Sequence, residues 1–156
     1  MTVRAARLPD DEPAILSFIW GLQKFENAFE PNRRLDPDFA AEHWADVQAQ
    51  VAARGAMFVA QVDGKPVGWA FVVEEPGDLF VAERERRHGF IAELFVEPSA
   101  RDRGHGRALI AACEEWTRAH GMAVLMIGVL SGNDKAAAMY RRDGFAPYNL
   151  FMRKYV

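Results

Sequence analysis

Between Val96 and Ala108 the chain reads V-E-P-S-A-R-D-R-G-H-G-R-A, which puts Gly104 and Gly106 at a helix start with Arg101, Arg103 and Arg107 around them. These residue types suit an anion. Glycine lets a ligand approach the backbone closely, the first N–H groups of a helix lack internal partners, and the helix dipole favours negative charge there. Arg101, Asp102, Arg103, Gly104, His105, Gly106 and Arg107 therefore form a candidate cradle for a diphosphate. No Gly-Lys-Ser/Thr follows, as a nucleotide phosphate loop would need, and Leu109 stands where a dinucleotide fingerprint has its third glycine.

Downstream, Asn133, Ala137 and Tyr140 are spaced by four and then three residues, so they share one helix face and can reach a common ligand. Taken alone, Asn133 is also a good N-cap and Tyr140 an ordinary half-buried aromatic. Glu93 lies on the strand-like run that feeds the cradle. Strict alternation places it with Ile91 and Phe95, opposite Ala92, Leu94 and Val96, either as a carboxylate at the floor of a cleft or as a hydrogen-bonded structural residue. The four histidines and the single cysteine show neither H-E-x-x-H nor C-x-x-C spacing, so no metal site is expected. His43 and His88 read as exposed, His120 as a cation at a helix end, and Cys113 as a buried thiol rather than a nucleophile.

The elements that must position these groups follow from periodicity. A short strand around Val3 to Arg7 precedes a helix with Asp10 as N-cap and Ile15, Phe18, Ile19, Leu22 and Phe25 on one face. A second helix starts at Asp36-Pro37, carries Ala40, Trp44, Val47 and Val51 on one face, and ends at Gly55. Phe58 to Asp63 and Val67 to Glu74 form a hairpin around Asp63-Gly64-Lys65-Pro66, and the mixed charges of Glu83 to Arg87 read as a solvated loop. Phe90 to Val96 is a strand stopped by Pro98, and Leu109, Cys113 and Trp116 mark a third helix. The apolar run Ala123 to Leu130 is a strand, Asn133 to Asp143 is a fourth helix closed by Gly144, and Leu150 to Val156 is a last strand. The expected fold is α/β (α+β): a mixed, mostly antiparallel sheet with a parallel central strand pair, Phe90 to Val96 beside Ala123 to Leu130, and helices on both faces.

At 156 residues, with 50% hydrophobic and 26% charged residues, the chain reads as a single domain over 1–156 with a real core. Its net charge of −3 gives no general pull toward nucleic acid or anionic lipid. Its longest apolar run is far short of the ~20 residues a membrane helix needs. One cysteine and no visible signal segment suit a cytoplasmic protein. The apolar Leu150, Phe151, Met152, Tyr155 and Val156 suggest a homodimer, because an apolar edge needs covering.

The ordered motifs V-x-P-x-x-R-x-x-G-x-G and N-x-x-x-A-x-x-Y-x-x-x-G-F, spanning Phe90 to Phe145 with the intervening helix and strand, resemble the GCN5-related N-acetyltransferase (GNAT) family. The resemblance implies that acetyl-CoA is the co-substrate, its pyrophosphate held by Arg101 to Gly106 and its pantetheine arm paired with the backbone of Leu94, Phe95 and Val96. It implies further CoA contacts at Asn133, Ala137 and Tyr140. Tyr140 then matches the position that protonates the departing thiolate, and Glu93 the position that accepts the amine proton. The implied acceptor is a primary amine of a small molecule or peptide. Glu26, Glu30, Glu83 and Glu85 lie in segments that border the acceptor cleft in the family, with Arg33, Arg34, Arg84, Arg86 and Arg87 among them.

Overall fold

The computed structural model describes residues 2–156. Its first strand, β1 (Thr2–Ala5), is tied to its first helix, α1 (Glu12–Asn27), by one buried carboxylate. The guanidinium of Arg4 donates to both oxygens of Asp11 at 2.6 and 2.8 Å, and the Arg7 N–H donates to Oδ2 at 2.6 Å. Hydrogen bonding to Arg4 holds the Asp11 carboxyl below the usual range against the opposing effect of burial. Asp11, not the expected Asp10, occupies the N-cap position, and its oxygens serve this fork rather than capping the helix.

α2 (Phe39–Arg54) starts two residues after Pro37 and lays Trp44 and Val47 against Ile15, Phe18 and Ile19 of α1. β2 (Gly55–Val62) and β3 (Lys65–Glu75) close a two-residue hairpin at Asp63 and Gly64, both with positive φ (+49° and +76°), the backbone that matches the twist of paired strands. The loop expected at Glu83 to Arg87 contains one helical turn, α3 (Glu83–Arg86). Arg86 draws this loop back on itself by donating to the carbonyls of Val81 and Leu79 at 3.1 and 3.3 Å. β4 (His88–Val96), α4 (His105–Ala119), β5 (Leu125–Ile127) and α5 (Asp134–Arg142) complete the order. The end of α5 is closed by Gly144 (φ +93°), with the Phe145 N–H donating to the Tyr140 carbonyl at 3.0 Å, a glycine cap of the kind its sequence predicts.

The sheet runs β1-β2-β3-β4-β5, antiparallel except for the parallel β4–β5 pair. α1 and α2 cover one face over Trp69, Phe71 and Phe95, while α4 lays Leu109, Ile110 and Cys113 on the other, over Ala70, Val72 and Ile91. The expected mixed sheet with helices on both faces thus forms.

Two expectations are corrected. The parallel pair is not central: β4 lies inside the sheet, but β5 is its edge, and only three residues of the Ala123 to Leu130 run pair, Gly89 to Ile91 with Leu125 to Ile127. No strand forms over Leu150 to Val156. The Leu150 N–H goes to the Asn149 side chain, and Arg153 is drawn to Glu30 of the α1–α2 connection by a 2.9 Å ion pair. Leu150, Phe151, Met152 and Tyr155 are left exposed.

Candidate active site

β4 and β5 part after Ile91 and Ile127, while β4 continues to Val96 along β3. From Ala92 onward β4 therefore has a strand on one side only, and its outward backbone groups face a chamber of about 810 Å³. The gap joins the two faces of the sheet. Leu94, Val96 and the chain from Ile127 to Leu130 line its middle, the cradle and α5 its outer part, and Leu22, Gln23, Phe25, Glu26, Phe39 and Glu93 its inner end.

Glu93 reaches the inner end because β4 bulges. Phe71 pairs with Glu93, but the next residue, Val72, pairs with Ile91, leaving Ala92 without a partner on β3. The bulge resets the alternation. Ile91 packs in the α4 core, Ala92 and Phe95 pack against the α1–α2 core, and Glu93 points to the same side as those two. The expected grouping of Glu93 with Ile91 is corrected accordingly.

On that side Nε2 of His43, from α2, donates to Oε1 of Glu93. His43 is thus not the exposed residue expected from its helical surface. Its side chain is 27% exposed and its ring stacks on Phe39 at 5.3 Å and 12°. The hydrogen bond to Glu93 raises the imidazole pKa above its ordinary value, against the desolvation that lowers it. The other carboxylate oxygen, Oε2, is buried without a protein partner among the described residues. A signal for His43 exists in the sequence, since it stands three residues after Ala40 and four before Val47, on the apolar face of its helix.

Gly104 begins α4 with φ +86°, Asp102 before it has φ +62°, and no side chain caps the helix, so the first-turn N–H groups are available to an anion. The cradle's side chains are mostly engaged. Nε of Arg101 donates to the Val96 carbonyl at 2.9 Å, and its guanidinium lies over Phe25 and Phe95 at 4.8 and 5.6 Å, bracing α1 against β4. Asp102 meets Lys135 at 3.0 Å across the mouth, and Arg107 meets Asp143 at 3.1 Å. His105 is buried, with Nδ1 lacking a partner. Arg101, Asp102, His105 and Arg107 line the chamber with Gly104 and Gly106, whereas Arg103 is exposed and does not line it. Lys135 is a chamber residue that the motif spacing did not single out.

On α5, Asn133 both caps the helix, accepting from the Ala136 N–H at 3.2 Å, and lines the chamber. Ala136 and Met139 line it where Ala137 was expected, because Ala137 is half-buried on the adjoining face. Tyr140 lines it too. Burial, with a smaller contribution from the charge of Glu26, pushes its phenol up to about 12, so the hydroxyl stays protonated at neutral pH. Of the four acidic residues expected at an acceptor cleft, only Glu26 lines the chamber, paired with Arg33 at 2.9 Å. Cys113 is fully buried, and burial alone pushes its thiol up to about 12.

Among the described residues, no group of three or more histidine, cysteine or acidic side chains could hold a metal ion, and no helix is long and apolar enough to cross a membrane.

The sequence model of the acetyltransferase (GNAT) family matches residues 19–145. An uncharacterized N-acetyltransferase of Methanocaldococcus jannaschii is 38% identical over 88 residues, 56% of this chain and 38% of that protein. An aminoglycoside N(6')-acetyltransferase of Stenotrophomonas maltophilia is 34% identical over 99 residues, 63% of this chain and 64% of that protein. The chain thus spans less than two thirds of the length of either relative. A solved single-residue variant of a Bacillus halodurans protein superposes with a TM-score of 0.81 at 19% identity, covering 100% of this chain and 99% of that one.

Proposed function

The chain belongs to the acetyltransferase (GNAT) family, and from that premise we propose that it moves the acetyl group of acetyl-CoA to a primary amine of a small molecule or peptide, by direct attack with both held in the chamber. The observation that carries this reading is the continuity of that chamber, which runs from an uncapped helix N-terminus past an unpaired stretch of β4 to Glu93.

Acetyl-CoA, once bound, supplies an acetyl group activated as a thioester. The first turn of α4 with Lys135 and Arg107 holds the diphosphate, and the free edge of β4 from Leu94 to Val96 pairs with the amide-bearing arm. An attacking amine must be neutral, so the carboxylate of Glu93 accepts the ammonium proton. Tyr140 gives its proton to the sulfur. Burial keeps the phenol protonated through the neutral range, so its proton is available as the thiolate leaves. No activated thiol is at hand for an acyl-enzyme, since Cys113 is buried in the α4 core.

The test is a free-thiol release assay with acetyl-CoA across a panel of primary amines and peptides. Thiol should appear only when an amine is present, together with the N-acetylated amine. Thermal stabilisation by CoA without thiol release for any amine would make the chain a non-catalytic acyl-CoA-binding domain instead.

A further inference from the structure

We propose that His43 is a positioning residue for Glu93: it holds the carboxylate by Oε1 at the chamber wall, and its charge state sets how strongly Glu93 accepts the proton. The inference deepens the acetyl-transfer reading and rests on it.

The two oxygens of Glu93 have unequal surroundings. Oε1 receives the Nε2–H of an imidazole whose other face is stacked on Phe39, while Oε2 is buried with no protein donor. Glu93 lines the chamber whereas His43 does not, so the ring holds the carboxylate from the protein side. The proton step balances simply: the ammonium N–H bond breaks, an O–H bond forms on the Glu93 carboxylate, the nitrogen keeps the electron pair that attacks the acetyl carbon, and His43 gains and loses nothing.

His43 can be neutral or cationic in this arrangement. When cationic, it stabilises the ionised form of Glu93 and weakens it as a base; when neutral, it orients Glu93 without that penalty. The charged groups acting on the ring are Glu93 from β4 and Asp46 further along α2. The other elements packed on α2 turn apolar groups toward it, Ile15 and Ile19 from α1, Val59 from β2, and Trp69 and Phe71 from β3. The hydrogen bond to Glu93 raises the pKa of His43 above ~6.5, so the cationic form persists into the near-neutral range and the pair works best above it.

Two variants separate orientation from charge. His43→Gln keeps a donor for Oε1 but cannot titrate, and His43→Phe keeps the stacking on Phe39 but gives no donor. With one saturating amine, the ratio of wild-type to His43→Gln kcat should fall as pH is lowered through the pKa of His43, since the ionisation of the acceptor cancels in the ratio. His43→Phe should lose ~10-fold or more in kcat at every pH, with KM for acetyl-CoA within ~3-fold. In parallel, the imidazole resonance of His43 should titrate above ~6.5 in the unliganded protein and shift downward in Glu93→Gln. The proposal is overturned if amine-dependent thiol release persists while the ratio stays flat from about pH 5.5 to 8.5, or if His43→Phe keeps full kcat. An unshifted His43 resonance in Glu93→Gln overturns it independently of any assay. If wild type releases no thiol with any amine, the acetyl-transfer reading itself fails and takes the proposal with it.

Discussion

Replacing Tyr140 by phenylalanine should lower kcat by ~10²–10⁴-fold while acetyl-CoA binding changes little. The substitution keeps the ring and its edge-on packing with Phe145 at 6.0 Å, so the end of α5 stays in place and only the hydroxyl is lost. Because burial pushes the phenol up to about 12, it is protonated throughout the neutral range, and wild-type kcat should show no basic limb from this group there. The measurement is kcat with a slow acceptor, for which chemistry limits turnover, together with the affinity for CoA. Full turnover in Tyr140→Phe would mean that water or another side chain protonates the sulfur.

The second large effect is expected at Gly106. The nearest atoms to a Cβ built there are Met139 Sδ at 3.4 Å, Met139 Cε at 3.6 Å and Leu94 Cδ2 at 3.9 Å, which are ordinary contacts, and the residue has no positive φ. The fold itself therefore has room for a Cβ at this point. A ligand would not leave room for a longer side chain, because side chains on the first turn of a helix lean toward its N-terminus and so into the cradle. Gly106→Leu should weaken CoA binding by ~100-fold, about 2.7 kcal/mol, and abolish the rise in melting temperature that saturating CoA gives the wild type. The unliganded variant should melt close to wild type. Gly104 is a different case: with φ +86° and nothing within 4 Å of a built Cβ, Gly104→Ala acts by backbone strain of ~1–2 kcal/mol. Unchanged CoA affinity in Gly106→Leu would remove the diphosphate from the first turn of α4.

The parts of this chain legible in its sequence are those written in local chemistry. Asp63-Gly64 announces its hairpin because both residues tolerate positive φ, and Gly144-Phe145 announces the end of α5 for the same kind of reason. Gly104 announces the start of α4 because glycine tolerates its φ of +86°. What was not legible depends on pairing between distant segments. The bulge at Ala92 arises from the register between β3 and β4, and nothing in I-A-E-L-F signals the extra residue. Without the bulge, Glu93 cannot be assigned to the α2 side, and His43 remains one more histidine on a helix. Likewise the apolar run from Ala123 reads as a long strand, but it parts from β4 after Ile127, so only three of its residues pair. The guanidinium of Arg101 shows a third limit: its spacing suits an anion, yet its side chain spends its hydrogen bond on Val96 and its face on Phe25 and Phe95. An anion held at the cradle, as proposed, would therefore rest more on backbone N–H groups than the count of arginines suggests.

The central claim is that one chamber holds acetyl donor and amine together. It is tested most directly by initial rates of thiol release, measured while acetyl-CoA and the best amine are varied independently. A ternary complex predicts double-reciprocal lines that converge, with no acetyl group on the protein when the amine is omitted. Parallel lines, accompanied by a burst of thiol and an acetylated protein in the absence of amine, would contradict the account and require a covalent carrier that the buried Cys113 does not provide.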